Sequence, residues 1–260
     1  MRMHMMRGAG AIAAAALVVG LAGCGSDDSS AGGHEVSGTV TVFAAASLTE
    51  TFTELGKQFE AAHPGVTVVY SFGPSSGLAE QINQGAPADV FASAAPKNMQ
   101  QVRDTGEVTV EPVVFVRNRL EIAVPKGNPG QITGLADFGR TEPTLALCAE
   151  QVPCGAAADK VFESAGITPQ PDTREQDVKA VLTKVTLGEV DAGLVYRTDV
   201  QAAGETVEGI DFPESSTAVN DYPVAPLANG PNATAAAAFV EFVTSEQAAP
   251  VFTAAGFDTP

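Results

Sequence analysis

Four short stretches of this 260-residue chain share one chemical signature: small or hydroxylated residues directly ahead of a helical pattern. They are Ala44-Ala45-Ala46-Ser47-Leu48-Thr49-Glu50, Ser71-Phe72-Gly73-Pro74-Ser75-Ser76-Gly77, Val152-Pro153-Cys154-Gly155 and Asp177-Val178. The first turn of a helix leaves N–H groups without carbonyl partners and carries about half a positive charge, so each start suits an anion. Taken singly, each is also ordinary capping; Ser47 with Glu50 three residues on makes a capping box. Four in one chain, flanked by Ser hydroxyls, point to a site that wraps an anion in neutral donors.

Two other constellations compete. Gly73-Pro74-Ser75-Ser76-Gly77 fits the Gly-x-Ser-x-Gly elbow of hydrolases, with Ser75 as nucleophile. That chemistry needs a base, and the three His are His4, His34 and His63. None follows Ser75, where the hydrolase order would place it; a Ser–Lys arrangement stays formally open. His63 reads as a solvated residue of a His-Pro-Gly turn. The second constellation is Cys148 with Cys154. In an exported chain such a pair forms a disulfide, and the short loop it closes is worth roughly 2 kcal/mol. A zinc site is the alternative, but no His lies near in sequence and two thiolates do not complete a tetrahedron. No metal ligand set is read.

The elements that must position these residues alternate. Strand patterns at 39–45, 66–72, 89–93, 112–116, 120–124, 145–148, 192–196 and 224–227 are separated by helical patterns at 48–62, 78–84, 96–106, 156–165 and 178–187. Two further helices, at 233–244 and 246–255, finish the chain. Alternation of this kind predicts an α/β fold with largely parallel sheets. The helix at 48–62 places Phe52, Leu55 and Phe59 on one face and stops at His63-Pro64-Gly65.

Ahead of this body, Arg2 and Arg7 precede an apolar run at 9–22 that is too short for a mature membrane span, which needs ~20 apolar residues. The run ends in Leu21-Ala22-Gly23-Cys24, which resembles the lipobox of bacterial lipoproteins, with Cys24 lipidated after cleavage. Residues 24–38, rich in Gly, Ser and Asp, have the composition of a flexible tether. Composition narrows the partners. The chain has 14 Lys and Arg against 31 Asp and Glu, a formal charge of −17, and no basic cluster to grip nucleic acid. Loss of residues 1–23 removes two Arg and no acid, leaving 12 against 31, or −19. A hydrophobic share of 45% argues against disorder.

Read together, Val42-Phe43-Ala44-Ala45-Ala46-Ser47-Leu48, Ser71-Phe72-Gly73-Pro74-Ser75-Ser76-Gly77-Leu78-Ala79 and Gly85-Ala86-Pro87-Ala88-Asp89-Val90-Phe91-Ala92-Ser93-Ala94 resemble the molybdate-binding proteins of ABC transporters. Glu150-Gln151-Val152-Pro153-Cys154-Gly155, Asp177-Val178, Gly193-Leu194-Val195-Tyr196 and Asp221-Tyr222-Pro223-Val224 extend the likeness, in family order, across about 39–257. The resemblance implies a two-lobed periplasmic-binding-protein type 2 fold with mixed, mostly parallel sheets and helices on both faces. Lobe I would comprise 39–117 and 222–260, lobe II 118–221, hinged near 116–120 and 221–223, with the ligand cleft between them. Carried over position by position, Ser47 and Ser75 would offer hydroxyl and backbone N–H, Cys154 and Val178 their backbone N–H, and Tyr196 its phenolic O–H. Cys154 stands where an Ala is familiar, and Pro74 where a residue with an N–H is common.

The implied function is capture of molybdate, and of tungstate, by a monomeric extracytoplasmic receptor that is not an enzyme. It would be lipid-anchored to the cell membrane through Cys24 and would deliver its ligand to a permease and its ATPase, with no cofactor. The alternatives are another tetrahedral oxyanion, such as sulfate, and an exported serine hydrolase using Ser75.

Overall fold

The structure, a computed structural model, describes residues 36–260. The expected leader, the lipidation site Cys24, the tether up to residue 35, and His4 and His34 lie outside the described residues.

Ten strands form two five-stranded sheets. The first is built from β1 (Gly38–Ala45), β2 (Val66–Gly73), β3 (Val90–Ala92), β4 (Val113–Asn118) and β10 (Asn220–Pro226), in the order β2-β1-β3-β10-β4. The second holds β5 (Leu120–Pro125), β6 (Leu145–Cys148), β7 (Thr173–Glu175), β8 (Ala192–Tyr196) and β9 (Val207–Ile210), in the order β7-β6-β8-β5-β9. Each sheet has the same plan. Three strands run parallel (β2, β1, β3 and β7, β6, β8), followed by one antiparallel strand, β10 or β5, and a last strand paired antiparallel to it. The chain crosses from the first sheet to the second at Arg119, between β4 and β5, and returns between β9 and β10.

The helices are α1 (Thr49–Ala62), α2 (Ser75–Asn83), α3 (Pro96–Asp104), α4 (Pro153–Ala165), α5 (Val178–Thr186), α6 (Arg197–Ala203), α7 (Ala233–Val243) and α8 (Ala249–Ala254). Among the described residues, no helix is long and apolar enough to cross a membrane. α1 buries Phe52, Leu55 and Phe59 as its spacing predicts. Phe52 and Phe59 meet Phe239 of α7 edge-on, at centroid distances of 5.9 and 5.3 Å. These rings fill one face of the first sheet, while Leu78, Ile82, Met99 and Val102 of α2 and α3 fill the other. The second sheet is covered by Val161 and Phe162 of α4 and by Val181 and Val185 of α5. Both sheets are thus sandwiched between helices, the layering that parallel strands require.

Local expectations differ in several places: α2 begins at Ser75 rather than 78, α4 at Pro153 rather than 156 and α8 at Ala249 rather than 246, and β7, β9 and α6 have no counterpart among the expected elements. Residues 46–48 form a 3₁₀ turn ahead of α1, and Ser47 makes no cap. β10 begins at Asn220 rather than 224 and carries Pro223 inside it, where the ladder to β4 shifts register between Tyr222 and Pro223. A proline without an N–H is tolerated at such an irregularity. The expected hinge at 221–223 therefore lies within a strand. The helix at 96–106 ends at Asp104.

Candidate functional site

In each sheet the three parallel strands point their carboxyl ends the same way, and at those ends the chain turns into a helix start. This is where open α/β sheets place ligands. β1 ends at Ala45 and leads to Ser47; β2 ends at Gly73 and leads to Ser75; β3 ends at Ala92 and leads to Ala94. From the second sheet, β6 leads to Cys154, β7 to Val178, and β8 ends at Tyr196. All six ends line one cavity of about 20 Å³, together with Ala46, Pro74, Val152, Pro153 and Asp177. By the scale on which ~10–15 Å³ holds one water, that space suits an ion of a few heavy atoms. Organic ligands occupy pockets of roughly 300–1,000 Å³.

The five residues singled out by sequence are therefore brought together, and all are buried. Exposures are 4% for Ser47, 1% for Ser75, 4% for Cys154, 3% for Val178 and 1% for Tyr196. Every donor has a local structural cause. Pro74 occupies the N-cap of α2 with its carbonyl taken by the Leu78 N–H, so the missing N–H is outside the helix's own first turn. Pro153 opens α4 at the position where a missing N–H costs nothing, which leaves the Cys154 N–H next in line. Cys154 is bonded to Cys148 at the end of β6, so the start of α4 is stapled to the strand before it. Gly155 is packed against the loop carbonyl of Ala149, where any Cβ would overlap backbone. Asp177 caps α5: its carboxylate accepts from the Ala180 N–H at 2.9 Å, leaving the N–H groups of Val178 and Lys179 free of helical partners.

The three hydroxyls are each fixed by a second residue. The Ala94 N–H donates to Ser75 Oγ at 3.0 Å. Asn220 Nδ2 donates to Tyr196 Oη at 2.8 Å. Ser47 Oγ lies 2.9 Å from Tyr222 Oη. Burial raises the pKa of Tyr196 far above an ordinary phenol, and that of Tyr222 likewise, so both keep their protons. No Lys or Arg lines the cavity among the described residues. The arrangement offers neutral donors at contact distance and can hold a small oxyanion.

Beside the cavity lies a charged triad that sequence reasoning missed. Lys179 Nζ donates to both carboxylate oxygens of Glu50, at 2.8 and 2.9 Å, and stands 3.0 Å from Asp199 Oδ1. It thereby joins α5, beneath the second sheet's site residues, to α1 beneath those of the first. Glu50, expected in a capping box with Ser47, serves this clasp instead. Asp199 Oδ2 accepts from the Tyr196 N–H at 3.0 Å. Asn220 and Tyr222 were also missed as contributors; the one signal was the Tyr222-Pro223 motif, which carries no role by itself. His63, half-buried at the end of α1, has its ring tilted at 52° to that of Phe59 with a centroid distance of 4.6 Å.

Residues 40–258 match the family described as bacterial extracellular solute-binding protein. The molybdate-binding protein ModA of Mycobacterium tuberculosis (strain ATCC 25618 / H37Rv) is 39% identical over 252 residues, which is 96% of this chain and 97% of that protein. The molybdate-binding protein ModA of Escherichia coli (strain K12) is 35% identical over 235 residues, 85% of this chain and 89% of that protein. Among solved structures, the periplasmic molybdate-binding protein of Azotobacter vinelandii superposes with a TM-score of 0.74 at 21% identity, over 85% of this chain and 99% of that one.

Proposed function

The chain belongs to the bacterial extracellular solute-binding protein family, and from that premise we propose that it is the extracytoplasmic receptor of an ABC transporter that captures molybdate and hands it to the permease and its ATPase. The observation that carries the reading is the convergence of six strand ends, three buried hydroxyls and the first turns of three helices on one cavity with no cation in its lining. Ser47, Ser75 and Tyr196 would donate O–H, and Cys154 and Val178 N–H, to the oxygens of the tetrahedral dianion. Neutral dipoles at fixed positions grade anions by size, where a buried Lys or Arg would hold any of them. Hydrogen phosphate is disfavoured because its own O–H would face donors only. Sulfate is rejected as too small, while tungstate, close to molybdate in size and charge, is accepted.

The two lobes follow the two sheets, with bounds a residue or two from 117/118 and 221/222 because β4 runs to Asn118 and β10 starts at Asn220, and they close over the anion about the two crossings between the sheets. The chain acts as a monomer tethered to the membrane through lipid on Cys24. A binding rather than a catalytic role is favoured because, among the described residues, no His or Lys lines the cavity with Ser75 to act as its base. Calorimetry with molybdate, tungstate, sulfate and phosphate tests the proposal. Molybdate at a thousand times its Kd should stabilise the fold by roughly 4 kcal/mol. Tyr196→Phe should weaken binding by about tenfold or more, the worth of a hydrogen bond to a charged group. Absence of a response to every oxyanion would sink the reading; ester hydrolysis lost in Ser75→Ala would replace it with the hydrolase.

A further inference from the structure

The cavity's hydroxyls raise a question that their identity does not answer. A hydroxyl is both donor and acceptor, so a ring of three Ser and Tyr side chains could accept a proton from a ligand as readily as give one. What decides is whether their lone pairs are already occupied.

Around Tyr196 the answer is fixed by Asn220. Its Nδ2 carries two hydrogens: one goes to the Ala94 carbonyl at 2.8 Å, the other to Tyr196 Oη at 2.8 Å. The Ala94 carbonyl sets the amide's orientation, because a flipped Asn220 would face acceptor with acceptor. An amide nitrogen cannot accept, so Tyr196 must turn its own proton elsewhere, to the cavity it lines or to the neighbouring Tyr222 phenol. The same Ala94 peptide donates its N–H to Ser75 Oγ, loading that hydroxyl from behind as well. Ser47 has Tyr222 at 2.9 Å, a side chain with 0% exposure. Either hydroxyl of that pair can be the donor, so the Tyr222 contact holds Ser47 in place without fixing the sense of its proton.

We propose that Asn220 on β10 is a specificity-determining positioning residue of the site: by donating to Tyr196 it occupies the phenol's lone pair from behind, so that Tyr196 meets the ligand as a donor only. The inference rests on the oxyanion reading above and adds that selectivity has two separable parts. Radius separates molybdate from sulfate, while proton count separates sulfate from phosphate, two ions of nearly one size. Asn220 also bridges the sheets, since Ala94 follows a strand of the first and Tyr196 ends a strand of the second, so the polarity of the cage is completed only when the two come together.

The test is competition of sulfate and of phosphate against bound molybdate, at a pH of about 8.5, where phosphate is the singly protonated dianion, in the full chain, Asn220→Asp and Asn220→Ala, with thermal unfolding as a check of folding. Asn220→Asp keeps the shape but presents an oxygen acceptor to Tyr196, whose proton then turns away from the cage. Its added charge repels both dianions alike, so the ratio of the two competitors isolates the polarity. Molybdate affinity should fall by about tenfold or more in Asn220→Asp, and the preference for sulfate over phosphate should fall by about tenfold as well, consistent with one reoriented hydrogen bond to an anion. In Asn220→Ala, which removes the donor to Tyr196 without adding charge, the same ratio should drop by a few fold. A folded variant of either kind that keeps the parent's sulfate-to-phosphate ratio overturns the inference, even where its molybdate affinity is reduced. If Asn220→Asp does not fold, Asn220→Ala alone decides. A parent chain that fails to bind molybdate removes the underlying reading instead.

Discussion

Replacing Lys179 with Met removes the ammonium 3.0 Å from Asp199 Oδ1 while keeping a stem of similar length. Asp199 has 0% exposure, and its Oδ1 has no aligned hydrogen-bond donor among the described residues; charge alone compensates it there. Breaking one side of a buried ion pair strands the other and costs about 3–5 kcal/mol. The Glu50 arm adds little, because its side chain is 51% exposed and exposed pairs are worth about 0–1 kcal/mol. In a folded body of this size each kcal/mol moves Tm by about 2–4 °C, so the variant should melt roughly 6–20 °C below the parent near pH 8. Burial is the largest influence on the Asp199 carboxyl and holds its pKa above the ordinary value, and Lys179 pulls it back. Without Lys179 the pKa climbs further. A carboxyl whose folded pKa exceeds its unfolded one binds the extra proton in the folded state, so stability is lost as pH rises through the folded pKa. The deficit should accordingly shrink at about pH 5, and Lys179→Met with Asp199→Asn should recover most of it at every pH. Urea unfolding of the three proteins across that range decides the matter. A Lys179→Met chain within about 1 kcal/mol of the parent near pH 8 refutes the reasoning, as does a double variant no more stable than the single one.

Opening the Cys148–Cys154 bond by Cys→Ser at both positions should lower stability by roughly 2 kcal/mol and weaken molybdate binding, because the Cys154 N–H is held by that staple; calorimetry of the variant reads both effects. Gly155→Ala should fail to fold or melt far below the parent, since the new Cβ overlaps the Ala149 carbonyl, whereas Gly85→Ala, at φ 87° with open space around it, should cost only about 1–2 kcal/mol in chemical unfolding. Glu121 on β5 has its pKa pushed up to about 7, by burial first and by Asp211, against the pull of Arg197 and Arg119. Its folded pKa lies above the unfolded value, so its contribution is present at low pH and lost as pH rises through about 7; Glu121→Gln should flatten that part of the stability profile.

Local chemistry made half of this site legible. Asp177 reads as a cap and is one, because capping involves residues three apart. The helix starts read as donors because a backbone N–H needs no particular side chain, and their convergence follows from parallel strands ending on one side. Ser47 misled, since the Ser47…Glu50 spacing that spells a capping box also fits a 3₁₀ turn whose serine faces away toward Tyr222, 175 positions on. Lys179 with Glu50, 129 apart, and Asn220 with Ala94, 126 apart, leave no periodic trace. The start of β10 was hidden by Pro223, whose ring argues against a strand until a register shift accommodates it. β7 has three residues, two of them charged, and offers too little alternation to read.

An acidic chain that takes up an anion seems at odds with itself only if net charge is allowed to stand for the site. A surface of −17 repels anions, but screening confines that field to a Debye length of ~8 Å at physiological salt. Inside the cavity the groups proposed to act are buried hydroxyls and amides. The disposition of Lys179 sharpens the point. It directly follows Val178, whose amide faces the site, and could have supplied a positive charge there. Its ammonium is instead held between Glu50 and Asp199, outside the cavity's lining. The chain thus holds this cation in a clasp between helices, and on the proposed reading the anion is left to dipoles. A cation would gain affinity for every anion at once, whereas dipoles gain it only for a ligand whose oxygens fit their positions and carry no proton.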